Sequence, residues 1–376
     1  MPKFLNLFIL TFFGGSMKVK AIAPTNIAIV KYWGKNPLWE KYHIPCKSSV
    51  AFTVSDLYTE TILEVEKGNG NVEFELNGKS ISKDEKEFEY VGKYITKLNE
   101  LVPETKNYDY YIKTKNNFPT AAGFASSASG FAAMARALQG VMKELEPKAY
   151  EKYFSDDSKL SVFARLGSGS ATRSIPEKGG LVIWHRGIPM DYPFGPNEVS
   201  DETKEKIIFS SYAESLLPHD YWPELRIIYV SVKKSEKKVK SRAGMKMTLK
   251  TNPIYKHWVE YEESVLLKEV INAAKEKDFS KVVELTIKLS NGLHAMMLYT
   301  MPRIVYMNDT SHQIIERILE LNENEVKASY TFDAGPNAIV FTLDKYEREV
   351  VSVLSEVVGE ENIVVTKLGK GSRLVE

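Results

Sequence analysis

From residue 18 onward, short runs rich in β-branched residues alternate with stretches whose apolar positions fall three and four apart. KVKAIAPTNIAIVKYW (18–33) predicts a first strand, and SSVAFTVS (48–55) and TETILEVE (59–66) predict more. KGNGNVEFELNGK (67–79) reads as a hairpin, with one turn at Gly-Asn-Gly and another at Asn77-Gly78. Phe88, Val91, Ile95 and Leu98 share one face of a helix predicted over about 84–99, and YDYYIKTKN (108–116) predicts a strand. FPTAAGFASSASGFAAMA (118–135) then leads into a helix carrying Phe131, Met134, Ala135 and Leu138 on one side, with Gly140 as its stop. A helix near 158–166 ends in Gly167, followed by SGSATRS (168–174), at the start of another helix, and the strand GGLVIW (179–184).

Residues 186–224 are rich in Pro, Gly and charge, which predicts a domain boundary. The expected division is an extension over 1–16, an N-terminal domain over 17–200 and a C-terminal domain over 201–376. The second half opens on RIIYVSV (226–232) and continues with two or three long amphipathic helices between about 253 and 321. ASYTF (328–332), a DAGPN turn (333–337), AIVFTL (338–343), a helix and NIVVTKL (362–368) complete it. Interleaved strands, helices and hairpins predict an α+β fold, not a doubly wound parallel sheet.

Charge narrows the partners. The formal net charge over 376 residues is +1, which gives no electrostatic case for nucleic acid or an acidic membrane surface. Local basic residues can still hold a small anion. The single cysteine, Cys46, excludes an intrachain disulfide and reads as a small packed residue; a reducing, cytoplasmic setting is expected. MPKFLNLFILTFFGGS (1–16) looks like a short signal peptide, but a strand-like sequence follows Met17, and a start at Met17 is the preferred expectation. No segment reaches the 18 or so apolar residues of a membrane span. The six histidines show no metal-ligand spacing, and His294 reads as a core or boundary residue.

The stretch 118–135 poses the chemical question. A strand, a loop of small residues and a helix start let backbone approach an anion, and the exposed N–H groups and helix dipole favour phosphate oxygens. Ser126 and Ser127 add hydroxyls able to donate to phosphate or to reach Mg²⁺. A tightly packed helix start accounts for the small residues equally well. The G-x-x-x-x-G-K-[ST] and G-x-G-x-x-G patterns are both absent here.

Pro119-x-x-x-Gly123-Phe124-x-Ser126-Ser127-Ala128 resembles the ATP-phosphate loop of the GHMP kinase superfamily, with Phe124 in place of the usual Leu. Within it, APTNIAIVKYWGK (23–35), NNFPTAAGFASSASGFAA (116–133), SGSATRS, VYMNDTS (305–311) and YTFDAGPNAIVF (330–341) resemble the mevalonate diphosphate decarboxylase family, in order and across nearly the whole chain after Met17. The resemblance implies an N-terminal α+β domain, a ferredoxin-like C-terminal domain and an active-site cleft between them. It implies ATP-dependent decarboxylation of mevalonate 5-diphosphate to isopentenyl diphosphate, with Mg²⁺ arriving with ATP, and a homodimer. The alternatives within the superfamily are a mevalonate 3-kinase and a phosphomevalonate decarboxylase.

The same resemblance assigns roles. Asp333 becomes the base at the C3 hydroxyl, although an Asp opening an Ala-Gly-Pro-Asn turn is commonly bonded to its own backbone. Lys31 is expected beside that hydroxyl and Asp333. Tyr32, Trp33, Gly34 and Lys35 are expected against the diphosphate. On a regular strand Lys31, Trp33 and Lys35 would share a face, and the two lysines would repel unless an anion intervenes or the chain turns at Gly34. Arg173 is expected on the substrate carboxylate, for which a guanidinium is suited. Ser168, Gly169, Ser170, Ala171 and Thr172 are expected as the substrate loop, and Ser241 near the diphosphate. Arg242 either strengthens diphosphate binding or points to solvent. Asn116, Pro119, Ala122, Gly123, Ala125, Ser126 and Ser127 are expected around ATP. Cys46-Lys47 stands where the family commonly has Thr-Asn before Ser-Ser.

Overall fold

The structure is a computed structural model that describes residues 11–13, 15–118, 126–232 and 239–375. In chain order the first eight strands are β1 (Thr11–Phe13), β2 (Ser16–Val30), β3 (Ser49–Lys67), β4 (Val72–Leu76), β5 (Lys79–Ser80), β6 (Tyr108–Asn116), β7 (Leu181–Trp184) and β8 (Ala213–Leu217). Together with a C-terminal strand they build a nine-stranded sheet among the described residues. Helices α1 (Lys86–Leu101), α2 (Ser126–Leu145), α3 (Pro147–Tyr153), α4 (Asp157–Gly167) and α5 (Asp201–Ser210) cover it. Met17, Val19, Ala21 and Ala23 of β2 alternate into a core with Leu98 of α1, Phe131 and Leu138 of α2, and Phe163 of α4.

The second half holds four strands: β9 (Leu225–Val230), β10 (Thr331–Phe332), β11 (Ala338–Leu343) and β12 (Ile363–Lys367). They are antiparallel in the order β10-β11-β9-β12. That is the order expected of a ferredoxin-like sheet. Between β9 and β10 run α6 (Ser241–Thr251), α7 (Tyr255–Tyr261), a π-helical turn (Glu262–Leu266), α8 (Leu267–Glu276), α9 (Phe279–Leu298) and α10 (Asp309–Leu321); α11 (Glu347–Val358) precedes β12. Period-two alternation on β9 decides the layering. Leu225, Ile227 and Tyr229 face a core shared with α8, α9 and the large sheet's Ile27, Val50 and Phe52. Ile228 and Val230 face α10 and α11. The halves are joined by that shared core, including a Phe52–Phe341 edge contact at 5.5 Å.

Two local expectations are corrected. The Gly-Asn-Gly segment does not close a hairpin, because β4 lies beyond β6 and runs parallel to it. Asp109 on β6 accepts from the N–H groups of Asn69 and Asn71 at 2.9 and 2.8 Å, wrapping the loop around the strand end. Asn77-Gly78 does form the tight turn, with both φ values positive. Gly140 does not stop α2, which runs on to Leu145; a Cβ there would sit 2.9 Å from Val19 Cγ1, so the glycine serves close packing on β2. The sheet also extends past residue 200: α5 packs into the first core and β8 pairs with β7. The final strand, β13 (Arg373–Val375), returns to pair with β2. The large sheet thus takes in residues up to Leu217 together with β13.

Arg165 shows how the first half is pinned near the site. It is fully buried, and it donates to the carbonyls of Tyr42 at 3.0 Å, Ile208 at 2.8 Å and Ser211. Burial lowers its pKa to about 9, so it stays charged at neutral pH. Arg165→Met strands three buried acceptors and is expected to cost about 3 kcal/mol in urea denaturation; a change under about 0.5 kcal/mol contradicts the role.

Candidate active site

Lys31 directly follows the last residue of β2, Val30, and is buried. Its ammonium lies 2.7 Å from Asp333 Oδ1. The lysine side chain is 1% exposed and the aspartate 56%, so a buried cation meets a carboxylate that reaches the surface. Burial lowers the Lys31 pKa, opposed by Asp333. For Asp333 burial acts upward, but Lys31 and Arg173 outweigh it and hold the carboxyl below its ordinary value. Asp333 is therefore an anion at neutral pH.

The turn bearing Asp333 is fixed from three sides. Gly335 N–H donates to the Asp333 carbonyl at 2.8 Å. Ser311 Oγ donates to the Pro336 carbonyl at 2.8 Å, and Val232 N–H to Asn337 Oδ1 at 2.9 Å. Ser311 is itself half of a reciprocal cap with Asn308 at the start of α10. The VYMNDTS segment thus caps a helix and holds the aspartate's turn.

Arg173 sits in a short 3₁₀ turn, Gly169–Ser174, where a longer helix was expected. It is buried; Nε donates to Asn26 Oδ1 at 3.0 Å and Nη1 to Ser49 Oγ at 2.5 Å. Asn26 in turn donates to the Ser170 carbonyl at 3.0 Å and to Ser174 Oγ at 2.8 Å. Burial lowers the guanidinium's pKa to about 10, still charged at neutral pH. Asn26 and Ser49 escaped the sequence reading. Each lies far from Arg173 in the chain, and only strand pairing brings them together.

Residues 31–35 are not regular strand. Gly34 has φ +110°, and the chain turns there, separating Lys31 from Lys35. Trp33 is buried in the other half, its indole N–H donating to Thr248 Oγ1 at 3.0 Å, and its carbonyl accepts from Tyr255 Oη. Trp33 is therefore an interdomain anchor. Tyr32 packs on Trp184 at 4.8 Å, and its buried hydroxyl has no partner among the described residues. A Cβ at Gly169 would come within 2.9 Å of the Tyr32 ring and 3.0 Å of Trp184.

Three serine hydroxyls converge: Ser168 Oγ lies 3.4 Å from Ser127 Oγ and 3.5 Å from Ser170 Oγ. Ser127 and Ser126 open α2. Ala171 and Thr172 point into the core, with Thr172 Oγ1 buried and unpartnered among the described residues. Asn116 Oδ1 accepts from Thr59 at 2.7 Å, at the end of β6. Pro119, Ala122, Gly123 and Ala125 lie outside the described residues.

Lys35 faces a cluster the sequence did not disclose. Burial, then Arg242 and then Lys97 and Lys246, depress Lys35 to about 8, with Glu40 opposing. Lys97 is lowered to about 8 by burial and by Arg242. Its ammonium donates to the Leu166 carbonyl at 3.1 Å and lies 3.2 Å from His43 Nε2. His43 is buried with its pKa well down, and its Nδ1 lies 2.7 Å from the Arg165 carbonyl. The neutral ring therefore donates through Nδ1 and accepts from Lys97. Arg242 stacks on Tyr90 at 4.3 Å and reaches the Gly167 carbonyl at 3.5 Å. Ser241, half-buried, starts α6 beside it. Lys35, Lys97 and Arg242 thus gather as mutually repelling cations, and Arg242 acts on Tyr32 as well.

The fold defines a GHMP-type two-domain α+β enzyme, with Lys31 of one half meeting Asp333 of the other. Residues 23–191 match the family profile for the diphosphomevalonate decarboxylase-like N-terminal domain, and residues 227–373 that for the mevalonate 5-diphosphate decarboxylase C-terminal domain. The chain belongs to the diphosphomevalonate decarboxylase family. It is 34% identical over 374 residues to the diphosphomevalonate decarboxylase of Candida albicans, covering 93% of this chain and 95% of the relative. The crystal structure of mevalonate diphosphate decarboxylase from Staphylococcus aureus superposes with a TM-score of 0.81 at 30% identity, over 96% of this chain and 98% of that one. A structure of MDDEF in complex with MVAPP, AMPPCP and magnesium superposes with a TM-score of 0.80 at 31% identity, over 96% and 99%.

Cys46, by contrast, is buried, and burial pushes its thiol up to about 12, so it is a packed residue with no nucleophilic character at neutral pH. No helix among the described residues is long and apolar enough to cross a membrane.

Proposed function

We propose that this protein catalyses the ATP-dependent decarboxylation of mevalonate 5-diphosphate to isopentenyl diphosphate, ADP, phosphate and CO₂. The observation that carries the reading is the Lys31–Asp333 contact at 2.7 Å, with Arg173 in electrostatic reach. A 3-hydroxy acid has no electron sink for losing CO₂, and a tertiary hydroxide leaves poorly. Transfer of the γ-phosphoryl group to the C3 oxygen supplies a leaving group. The C3–O bond then breaks to release phosphate, the C1–C2 bond breaks, and its electrons form the double bond as CO₂ departs.

Each step has a group to serve it. Asp333, ionised, accepts a hydrogen bond from the C3 hydroxyl and takes its proton as the O–P bond forms; in a loose phosphoryl transfer that proton moves late, so a weakly basic carboxylate suffices. Lys31 keeps Asp333 ionised and stabilises charge on the transferred phosphoryl group. Arg173, held by Asn26 and Ser49, orients the C1 carboxylate so that the breaking C–C bond lines up with the leaving phosphate. Tyr32, Lys35, Lys97, Ser241 and Arg242 receive the diphosphate, and Ser168 and Ser170 steer the substrate. Asn116, Ser126, Ser127 and the small-residue loop at 119–125 receive ATP.

The relative bound to MVAPP, AMPPCP and magnesium supports the same ligand set. Among the described residues no group of three or more His, Cys, Asp or Glu comes together as a metal site. Ser127 would hold Mg²⁺, which when bound neutralises charge on the phosphates. A cytoplasmic homodimer is the assembly implied by the resemblance, and light scattering tests the dimer.

The deciding experiment supplies Mg-ATP with mevalonate 5-diphosphate. CO₂ and ADP are expected in equal amounts, whereas ADP without CO₂ would leave a 3-kinase. Lys97→Met is expected to raise KM for the diphosphate substrate about 10-fold with little change in kcat. An unchanged KM removes Lys97 from the diphosphate pocket.

A further inference from the structure

Behind the Lys31–Asp333 contact lies a second buried ion pair. Lys47 and Glu262 are each 1% exposed and 2.7 Å apart. Lys47 precedes β3, and Glu262 opens the π-helical turn between α7 and α8, so this pair also crosses between the halves. Lys47 Nζ donates to the Lys31 carbonyl and lies 5.0 Å from the centroid of the Trp258 ring.

The next two residues continue the pattern. Ser48 donates to the Glu263 carboxylate through N–H at 2.6 Å and through Oγ at 2.8 Å. Ser49 Oγ accepts from Arg173. Three successive residues therefore touch the backbone of Lys31, the second half of the chain and the carboxylate-orienting guanidinium. Two adjacent carboxylates of the π-helical turn, Glu262 and Glu263, anchor that rail.

A buried lysine–glutamate pair is a poor source of net stability, since desolvation offsets much of its attraction. What it holds explains it better. Lys31 is drawn by two carboxylates, Asp333 and, more weakly, Glu262. Lys47 occupies Glu262 and leaves the Lys31 ammonium to Asp333.

We propose that Lys47 is a positioning residue for the decarboxylation: by pairing with Glu262 and fixing the Lys31 carbonyl, it keeps the Lys31 ammonium on Asp333. The proposal rests on the functional reading above. Removing Lys47 alone leaves Glu262 an uncompensated carboxylate competing for Lys31. Removing both charges ends the competition.

The test compares wild type, Lys47→Met, Glu262→Gln and the double variant, with CO₂ release followed per folded molecule as judged by circular dichroism. Lys47→Met is expected to lower kcat about 100-fold with both KM values within about threefold. The double variant is expected to recover at least about 10-fold of that loss. A purely structural pair would shift unfolding while leaving kcat per folded molecule unchanged. Wild-type kcat in folded Lys47→Met overturns the proposal, as does a folded double variant no faster than Lys47→Met. If Lys47→Met does not fold, Glu262→Gln decides. It leaves the Lys47 charge unpaired near Lys31, so kcat is expected to fall about 10-fold at constant KM, and an unchanged kcat overturns the proposal. Wild-type protein that consumes ATP without releasing CO₂ would instead sink the functional reading, and that result is separable from any variant's behaviour.

Discussion

Asp333→Asn is expected to abolish CO₂ release while the protein still binds Mg-ATP. The substitution keeps size and shape, so the turn held by Ser311, Gly335 and Asn337 should persist. It removes the one charge in direct contact with the buried Lys31 ammonium among the described residues. Two catalytic losses then coincide: no carboxylate takes the hydroxyl proton, and Lys31, buried and unpaired, is pushed toward its neutral form. General-base removal alone is worth about 10²–10⁴ in rate, so a fall of at least about 10³ in kcat is expected. Single-turnover CO₂ release gives the rate, and calorimetric titration with Mg-ATP checks the nucleotide site. A variant within tenfold of wild type would remove Asp333 from the chemistry and leave it a turn residue.

Much of this architecture is legible from residue 18 onward, and the part that is not has a common cause. Helix faces and strand runs are local signals: Val91, Ile95 and Leu98 are all buried, as are Phe131, Met134, Ala135 and Leu138. Pairing partners are not local. KGNGNVEFELNGK has the look of a hairpin, yet Asp109, some forty residues away, captures the first loop and sends β4 to the far side of β6. Gly140 has the look of a helix stop, and only the proximity of Val19 shows it to be a packing glycine.

The site divides the same way. Lys31, Arg173 and Asp333 sit in recognisable motifs, and the structure brings Lys31 and Asp333 into contact across some three hundred positions. Ser49 and Lys97 lie near that centre with no motif to mark them, and Asn26 lies inside a motif whose strand-like start gave it no role. Trp33 shows another side of a motif. It lies within a motif, but its side chain is spent on Thr248 and its carbonyl on Tyr255. A motif marks residues needed together, without separating those that meet a ligand from those that hold the two halves in place.

That holding function makes Gly34→Ala a damaging substitution despite its small size. Two separate costs fall on it. Gly34 has φ +110°, a conformation a side chain adopts only under strain, costing about 1–3 kcal/mol. An added Cβ would also stand 1.9 Å from Tyr255 Oη and 2.9 Å from Leu249 Cδ1. The oxygen it strikes is the donor to the Trp33 carbonyl, and Tyr255 is buried, so neither partner can step aside without breaking that bond. The two costs together should reach roughly 3–5 kcal/mol, visible as a lower urea midpoint. The effect should spread to activity, because Tyr32 and Lys31 precede the displaced segment. Adding Tyr255→Phe deletes the closest atom but leaves the ring carbon at 2.9 Å and the backbone strain, so it should return only about 1 kcal/mol. Full recovery in the double variant would show that the clash alone mattered. A Gly34→Ala protein within about 0.5 kcal/mol of wild type would mean that the turn between Lys31 and Lys35 is not the rigid joint described here.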